Sequence, residues 1–368
     1  MSSAPARERV VIGVLADNGA PAEVAGRVAN DLPATLADQV SAEVDWHVET
    51  RAQSLPLDEH GHIPMLRLAE EHKASHHWDV VVLVTDLPRR AGTRPIMSDY
   101  SASCGVGLIS LPALGAIRLR HRAHHLFVHL LRHLLEDRVP LAPRRMRFAR
   151  LGERFAPAEH IDADDADIDR HLALVGLRGR IRLLAGMVRD NRPWRLVPHL
   201  SSATAAAAAT AAYGVVTSNF WNLATALPPW RLALITVLSI AAMTIWLLVY
   251  HGLWHRPADR QEHGKFVLYN MSTLVTLLVG VTCMYAILYL LTLPASIMLI
   301  DDGYLASQLH QPIGFGTYAT IAWLASSIGI VAGALGSSIE NSDAVHRATY
   351  SQREQERQAR RDAHSAND

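Results

Sequence analysis

Residues 232–253 read LALITVLSIAAMTIWLLVYHGL, a run without Asp, Glu, Lys or Arg. About 20 apolar residues suffice to cross the hydrocarbon core of a bilayer as a helix, so this stretch predicts a membrane span. Segments 203–223, 266–293 and 315–338 meet the same criterion of length and apolarity. The first of the four has the least hydrophobic content, because its alanine run (205–209) adds little; a soluble alanine-rich helix is the alternative there. Four spans would leave both termini on the same side of the membrane, and three would not.

Basic residues support four. On one side fall Arg189, Arg192 and Arg195, then Arg256, Arg260 and Lys265, then Arg347, Arg353, Arg357, Arg360 and Arg361; the other side has Arg231 alone, with Asp301 and Asp302 in its last loop. Cytoplasmic loops carry the excess of Lys and Arg, so both termini are expected in the cytoplasm of a bacterial plasma-membrane protein. No secretory signal is evident, because the first apolar run (10–16) is too short. Trp221 and Trp230 are expected to bracket an outer turn, and Trp254, Tyr269 and His251 to lie near the inner ends. On the last span Ala322, Ser326, Gly329, Gly333 and Gly336 form a small-residue stripe of the kind that lets helices approach closely. Packing inside the four-helix unit is the expected use, with a homo-oligomer contact as the alternative. The middle of each span lacks Asp, Glu, Lys and Arg, which argues against an ion-coupled pump.

Ahead of the spans the pattern changes. The apolar run at 10–15 predicts a strand buried on both faces, as in a parallel sheet, followed by a helix with Val24, Val28 and Leu32 at helical spacing; Pro33 is expected to break or restart it. Val44, Trp46 and Val48 alternate with polar residues in a half-buried strand. A helix at 64–73, an apolar strand at 80–84, weaker strands at 96–98 and 106–111, and a helix at 117–136 complete an α/β unit. The expected fold is thus a cytosolic α/β domain with a mostly parallel, Rossmann-like sheet (1–140), a linker with a basic juxtamembrane helix (141–200), an all-α four-helix transmembrane domain (201–340) and a charged tail (341–368).

In such sheets ligands bind beyond the carboxyl ends of the strands. Those positions hold Asp17, Asn18 and Gly19, then Thr85, Asp86, Arg89 and Arg90, then Asp99, an arrangement able to hold a polar small molecule of unidentified kind. Gly and Asp are also what turns require. GxGxxG and GxxxxGK[ST] do not occur, so no cofactor is expected. The absence of G-x-S-x-G or a Ser-His-Asp pattern leaves no catalytic residues to name. Arg and Lys together number 35, as do Asp and Glu, a balance that offers nothing to a nucleic-acid partner. Cys104 and Cys283 fall in different halves and form no metal motif.

His121, His125, His129 and His133 recur every fourth residue. Zinc can use such spacing, but Arg118, Arg122 and Arg132 share that arc, so the reading is a solvated polar face with no metal. Asp162, Asp164, Asp165, Asp167 and Asp169 lack the glycine and terminal glutamate of a calcium loop and read as an acidic linker capping a helix from His171 to Arg189. That helix carries Leu172, Leu177, Ile181, Leu184 and Met187 on one arc and Arg178, Arg182 and Arg189 on the other. With Trp194 after it, it is expected to lie on the anionic inner leaflet.

The stretch 186–203, GMVRDNRPWRLVPHLSSA, together with Thr85-Asp86-Leu87-Pro88, resembles a family of uncharacterised actinobacterial integral membrane proteins with an N-terminal α/β domain. Some relatives carry the label methylenetetrahydrofolate dehydrogenase. That label implies a Tyr-x-x-x-Lys pair and a dinucleotide loop; neither Lys73 nor Lys265 has a tyrosine four positions before it. Three functions fit these residues: a membrane-anchored ligand-binding or sensory module first, then an oligomeric permease or channel subunit, then an enzyme working from the strand-end loops.

Overall fold

The computed structural model describes residues 8–58, 62–91, 94–136, 138–140, 158–162, 170–254 and 263–339. The chain forms two compact units that meet between Asp190 and Asn191. The expected linker at 141–157, the acidic residues 164–169, Arg256, Arg260 and the tail lie outside the described residues.

The first unit is a mixed sheet with helices. In chain order it contains β1 (Glu8–Ala16), α1 (Ala20–Gln39), β2 (Val44–Ala52), α2 (Met65–His76), β3 (Val80–Thr85), β4 (Arg89–Ala91), β5 (Arg94–Ser101), β6 (Val106–Ser110), α3 (Leu119–Leu134), β7 (Ala158–Asp162), β8 (Arg170–Leu174) and α4 (Gly176–Asp190). Strand order is β2-β1-β3-β6-β5-β8-β7, with β4 added to β5. Strands β2, β1, β3 and β6 are parallel, as the apolar runs predict. The other half is antiparallel, which corrects the expected mostly parallel sheet. The reason is loop length: a parallel return needs a dozen or more residues, and only the short turn after Ser101 separates β5 from β6.

Both β3 and β6 are buried throughout, so each face of the sheet is covered. On one face Leu15, Leu83 and Leu108 pack with Leu68 of α2 and with Trp78. The alternate residues, among them Val82, Val84 and Ile109, are equally buried, as period-two alternation between two covered faces demands.

Two expectations change. Helix α1 runs through Pro33, because Val28, Leu32 and Leu36 stay buried on one side and hold the turn that a lost N–H would loosen. The basic helix starts at Gly176 and not at His171, and residues 170–174 are a strand of the sheet. Gly176 has φ 76°, a left-handed turn that separates strand from helix. The α/β unit therefore reaches Asp190 and includes segments read as linker.

The second unit is helical: α5 (Leu196–His199), α6 (Ser201–Val216), α7 (Ser218–Ala226), α8 (Pro229–Tyr250), α9 (His263–Leu299), α10 (Asp302–Leu309) and α11 (Phe315–Gly336). Among the described residues three helical stretches are long and apolar enough to cross a membrane, Pro229–Tyr250, Val267–Leu299 and Phe315–Gly336. The alanine-rich segment is in two pieces, broken where Thr217 turns extended. Its first piece, 16 residues, spans only about 24 Å.

The small-residue stripe of α11 is used against α6. A Cβ at Gly329 would lie 2.7 Å from the Ala207 carbonyl oxygen, one at Gly333 3.0 Å from that of Ala203, and one at Gly336 2.9 Å from that of Ser202. The residue numbers run in opposite directions, so the helices are antiparallel. Thr236 of α8 bonds Ser327 at 2.9 Å and accepts from Trp323 Nε1 at 2.7 Å, while Tyr250 donates to the Ser338 carbonyl. Helix α8 is therefore parallel to α11. Large apolar side chains such as Val237, Ile245, Val249, Leu290 and Leu291 face outward. An exposed apolar surface of this extent marks a membrane-facing or partner-facing surface. Trp221 is buried and donates to the Val215 carbonyl, and His251 is buried beside Tyr250.

Candidate functional site

The order β2-β1-β3 places the chain reversal of the parallel half between β1 and β3, and this is where open α/β sheets take ligands. The structure brings Asp17 and Thr85 together there. Thr85 Oγ1 donates to Asp17 Oδ2 at 2.6 Å, and the Leu55 amide donates to Asp17 Oδ1 at 2.9 Å. Both side chains are fully buried. They shape the crevice by tying the ends of β1 and β3 to the loop after β2. Asn18 and Gly19 stand exposed at its rim, and Asp86, Arg89 and Arg90 are partly exposed.

Asp99 belongs to a second cluster. Its carboxylate is fully buried, with Arg89 Nε 2.9 Å from Oδ2 as a charge contact and His171 Nδ1 2.6 Å from Oδ1. Arg89 comes from β4, Asp99 from β5 and His171 from β8, so three strands of the antiparallel half converge on one carboxylate. A buried carboxylate without such partners would cost several kcal/mol, on the order of a lost buried ion pair. Sequence reasoning identified Arg89 and Asp99 but missed His171, which lies 72 residues from Asp99. Nothing local signals the pairing.

Of the histidines of α3, His121 is exposed while His124, His125, His129 and His133 are half-buried, which corrects the expected solvated face in part. His124 lies 3.2 Å from Thr35 of α1, Arg120 pairs with Asp31 at 2.5 Å, and His133 stacks on Tyr100. The contacts with α1 come from Arg120, His124 and Arg132, each one position before a ladder histidine, so α1 covers the flank beside the ladder. Among the described residues no three His, Cys, Asp or Glu side chains gather as a metal site. His124 and His125 are held below the ordinary imidazole value of 6.5, first by burial; Asp31 of α1 opposes this at His124, while His121 and Arg120 add to it there, and His121 and His124 add to it at His125. The unfolded chain takes up these protons at higher pH than the folded one. Their contribution to stability is full above about 6.5 and is lost as pH falls through the folded values. Hydrogen exchange in the α1–α3 seam should accelerate between about pH 7.5 and 5.5, after correction for intrinsic rates, relative to β3. Equal pH dependence in both would contradict this.

Of the expected membrane-interface residues, Arg178 and Trp194 are exposed. Arg182 and Arg189 turn inward: Arg182 Nε donates to the Leu114 carbonyl at 3.2 Å and Arg189 Nη1 to that of Gly115 at 2.5 Å. The turn at 112–115 leaves carbonyls without helical partners, and buried carbonyls need donors. A Cβ at Gly186 would lie 2.0 Å from the Pro112 carbonyl oxygen, a measure of how closely α4 sits on that turn.

Fold and sites together define a mixed α/β unit followed by a helical unit with three helices able to cross a membrane. No protein-family model, curated protein or solved structure matches the chain.

Proposed function

We propose that this is a membrane-anchored module that binds a small polar ligand in the cytoplasm, with its ligand site in the crevice between β1 and β3. The observation that carries the reading is the chain reversal at β1 and β3, with Asn18 and Gly19 exposed after β1, Asp86 partly exposed after β3, and Asp17 and Thr85 bracing the strand ends. Four spans and two cytoplasmic termini complete the proposal. In support, α6 and α7 both pack on α11, so a broken helix accompanies a continuous one that is long enough to cross. Basic residues on one side supply the orientation.

The test is a thermal-shift screen of the full-length, detergent-solubilised protein against nucleotides and polar metabolites. A binder at a hundred times its Kd stabilises by about 2.7 kcal/mol, and Asn18→Ala, a change at an exposed side chain, should shrink that shift without lowering the Tm of the free protein. A screen in which no ligand moves the Tm, or in which Asn18→Ala responds like the parent, removes the reading.

A further inference from the structure

Arg122 Nη1 donates to the Leu114 carbonyl at 2.7 Å, and Arg182 Nε donates to the same oxygen at 3.2 Å. Two guanidinium groups that share one acceptor are near neighbours. Among the described residues no carboxylate pairs with either; the adjacent Arg189 is neutralised by Asp190 at 2.6 Å. Burial and the Arg122 charge push Arg182 down to about 10, and burial and Arg118 lower Arg122. Like charges in a half-buried corner, coordinated only by a carbonyl dipole, are relieved by an anion, and a guanidinium fork matches phosphate oxygens.

The surroundings say which phosphate. Among the described residues of the α/β unit, the large apolar side chains left exposed are Ile117, Leu177 and Ile181. Ile117 is two residues beyond the Gly115 turn, and Ile181 adjoins Arg182 on α4. Exposed Arg118 and Arg178 lie on the same two elements. A free metabolite has no use for projecting isoleucine and leucine side chains. A bilayer surface takes apolar side chains below its headgroups and arginines at phosphate level.

We infer that this corner, where the start of α3 and the outer face of α4 meet over the turn at 112–115, docks on an anionic phospholipid surface, with Arg122 and Arg182 gripping a lipid phosphate. Helix α4 then touches the membrane through its first turns, while its second half remains seated on the α/β unit. The inference rests on the reading that the α/β unit lies beside the bilayer, and it is independent of the β1–β3 ligand site.

Hydrogen exchange on the full chain tests it, in nanodiscs of phosphatidylcholine alone and of phosphatidylcholine with phosphatidylglycerol. Backbone amides at 115–122 and 176–184 should exchange about tenfold more slowly in the anionic discs, since each basic residue at an anionic surface contributes on the order of 1 kcal/mol. The difference should vanish in Arg122→Gln/Arg182→Gln. Because losing Arg182 could loosen α4 itself, Ile117→Ser/Ile181→Ser, which changes only exposed side chains, should also shrink the difference and leave exchange in the neutral discs unaltered. Equal exchange in both discs overturns the proposal. So does equal slowing by inorganic phosphate in neutral discs, which would make the corner a small-anion site. A failed ligand screen leaves these outcomes untouched, and recovery of the protein in the washed membrane fraction checks the shared premise separately.

Discussion

Asp99→Ala should destabilise the α/β unit by about 3–5 kcal/mol, the usual cost of removing one partner from a buried ion pair. Asp99 is fully buried between Arg89 and His171. Its loss leaves the Arg89 guanidinium, whose side chain is 20% exposed, without its counter-charge, and His171 without its acceptor. Hydrogen exchange of β5 and β8 reads this directly, because protection there should collapse before that of β1 and β3. The triple replacement Arg89→Met/Asp99→Leu/His171→Phe should recover most of the loss, since apolar groups of similar volume often replace a buried ionic group without penalty. A loss below about 1 kcal/mol for Asp99→Ala would mean that the cluster is solvated and not buried.

Gly329→Leu should part α6 from α11. A Cβ alone would approach the Ala207 carbonyl oxygen to 2.7 Å and Leu288 to 3.1 Å, and a backbone carbonyl cannot swing away as a side chain can. Overpacking of this kind costs about 1–3 kcal/mol or more, and Ala211 Cβ, 3.4 Å away, closes in on the same position. Gly316 on the same helix meets nothing within 4 Å, so Gly316→Ala is the matched control and should stabilise slightly through helix propensity, by about 0.5–1 kcal/mol. Unfolding titrations in mixed micelles would compare the two. If Gly329→Leu changed only the oligomeric state and left unfolding unaltered, the stripe would serve contacts between copies and not the seam with α6.

How much of this was legible depended on range. The strand at 80–84 could be read because a doubly buried strand is apolar at every position, a property of the segment alone. The antiparallel half was not, because 170–174, Arg-His-Leu-Ala-Leu, is equally able to start a helix, and only its pairing with β5 settles its state. The candidate site shows the same division. Asp17, Thr85, Arg89 and Asp99 were recognisable as polar residues at strand ends, yet their roles were not. Asp17 and Thr85 are braces 68 residues apart, and Asp99 answers to a histidine on a strand that had been read as linker and helix.

The amino-acid sequence by itself determined which segments are apolar enough to cross a membrane and which form strands buried on both faces, because hydrophobicity, length and period are properties of contiguous residues. Tertiary structure alone decided that the first of the apolar segments breaks at Thr217, that the glycine stripe of α11 receives α6, and that Arg182 joins Arg122 at one carbonyl oxygen. Each of these depends on the register between segments far apart in the chain, where a shift of a single residue would exchange one partner for another.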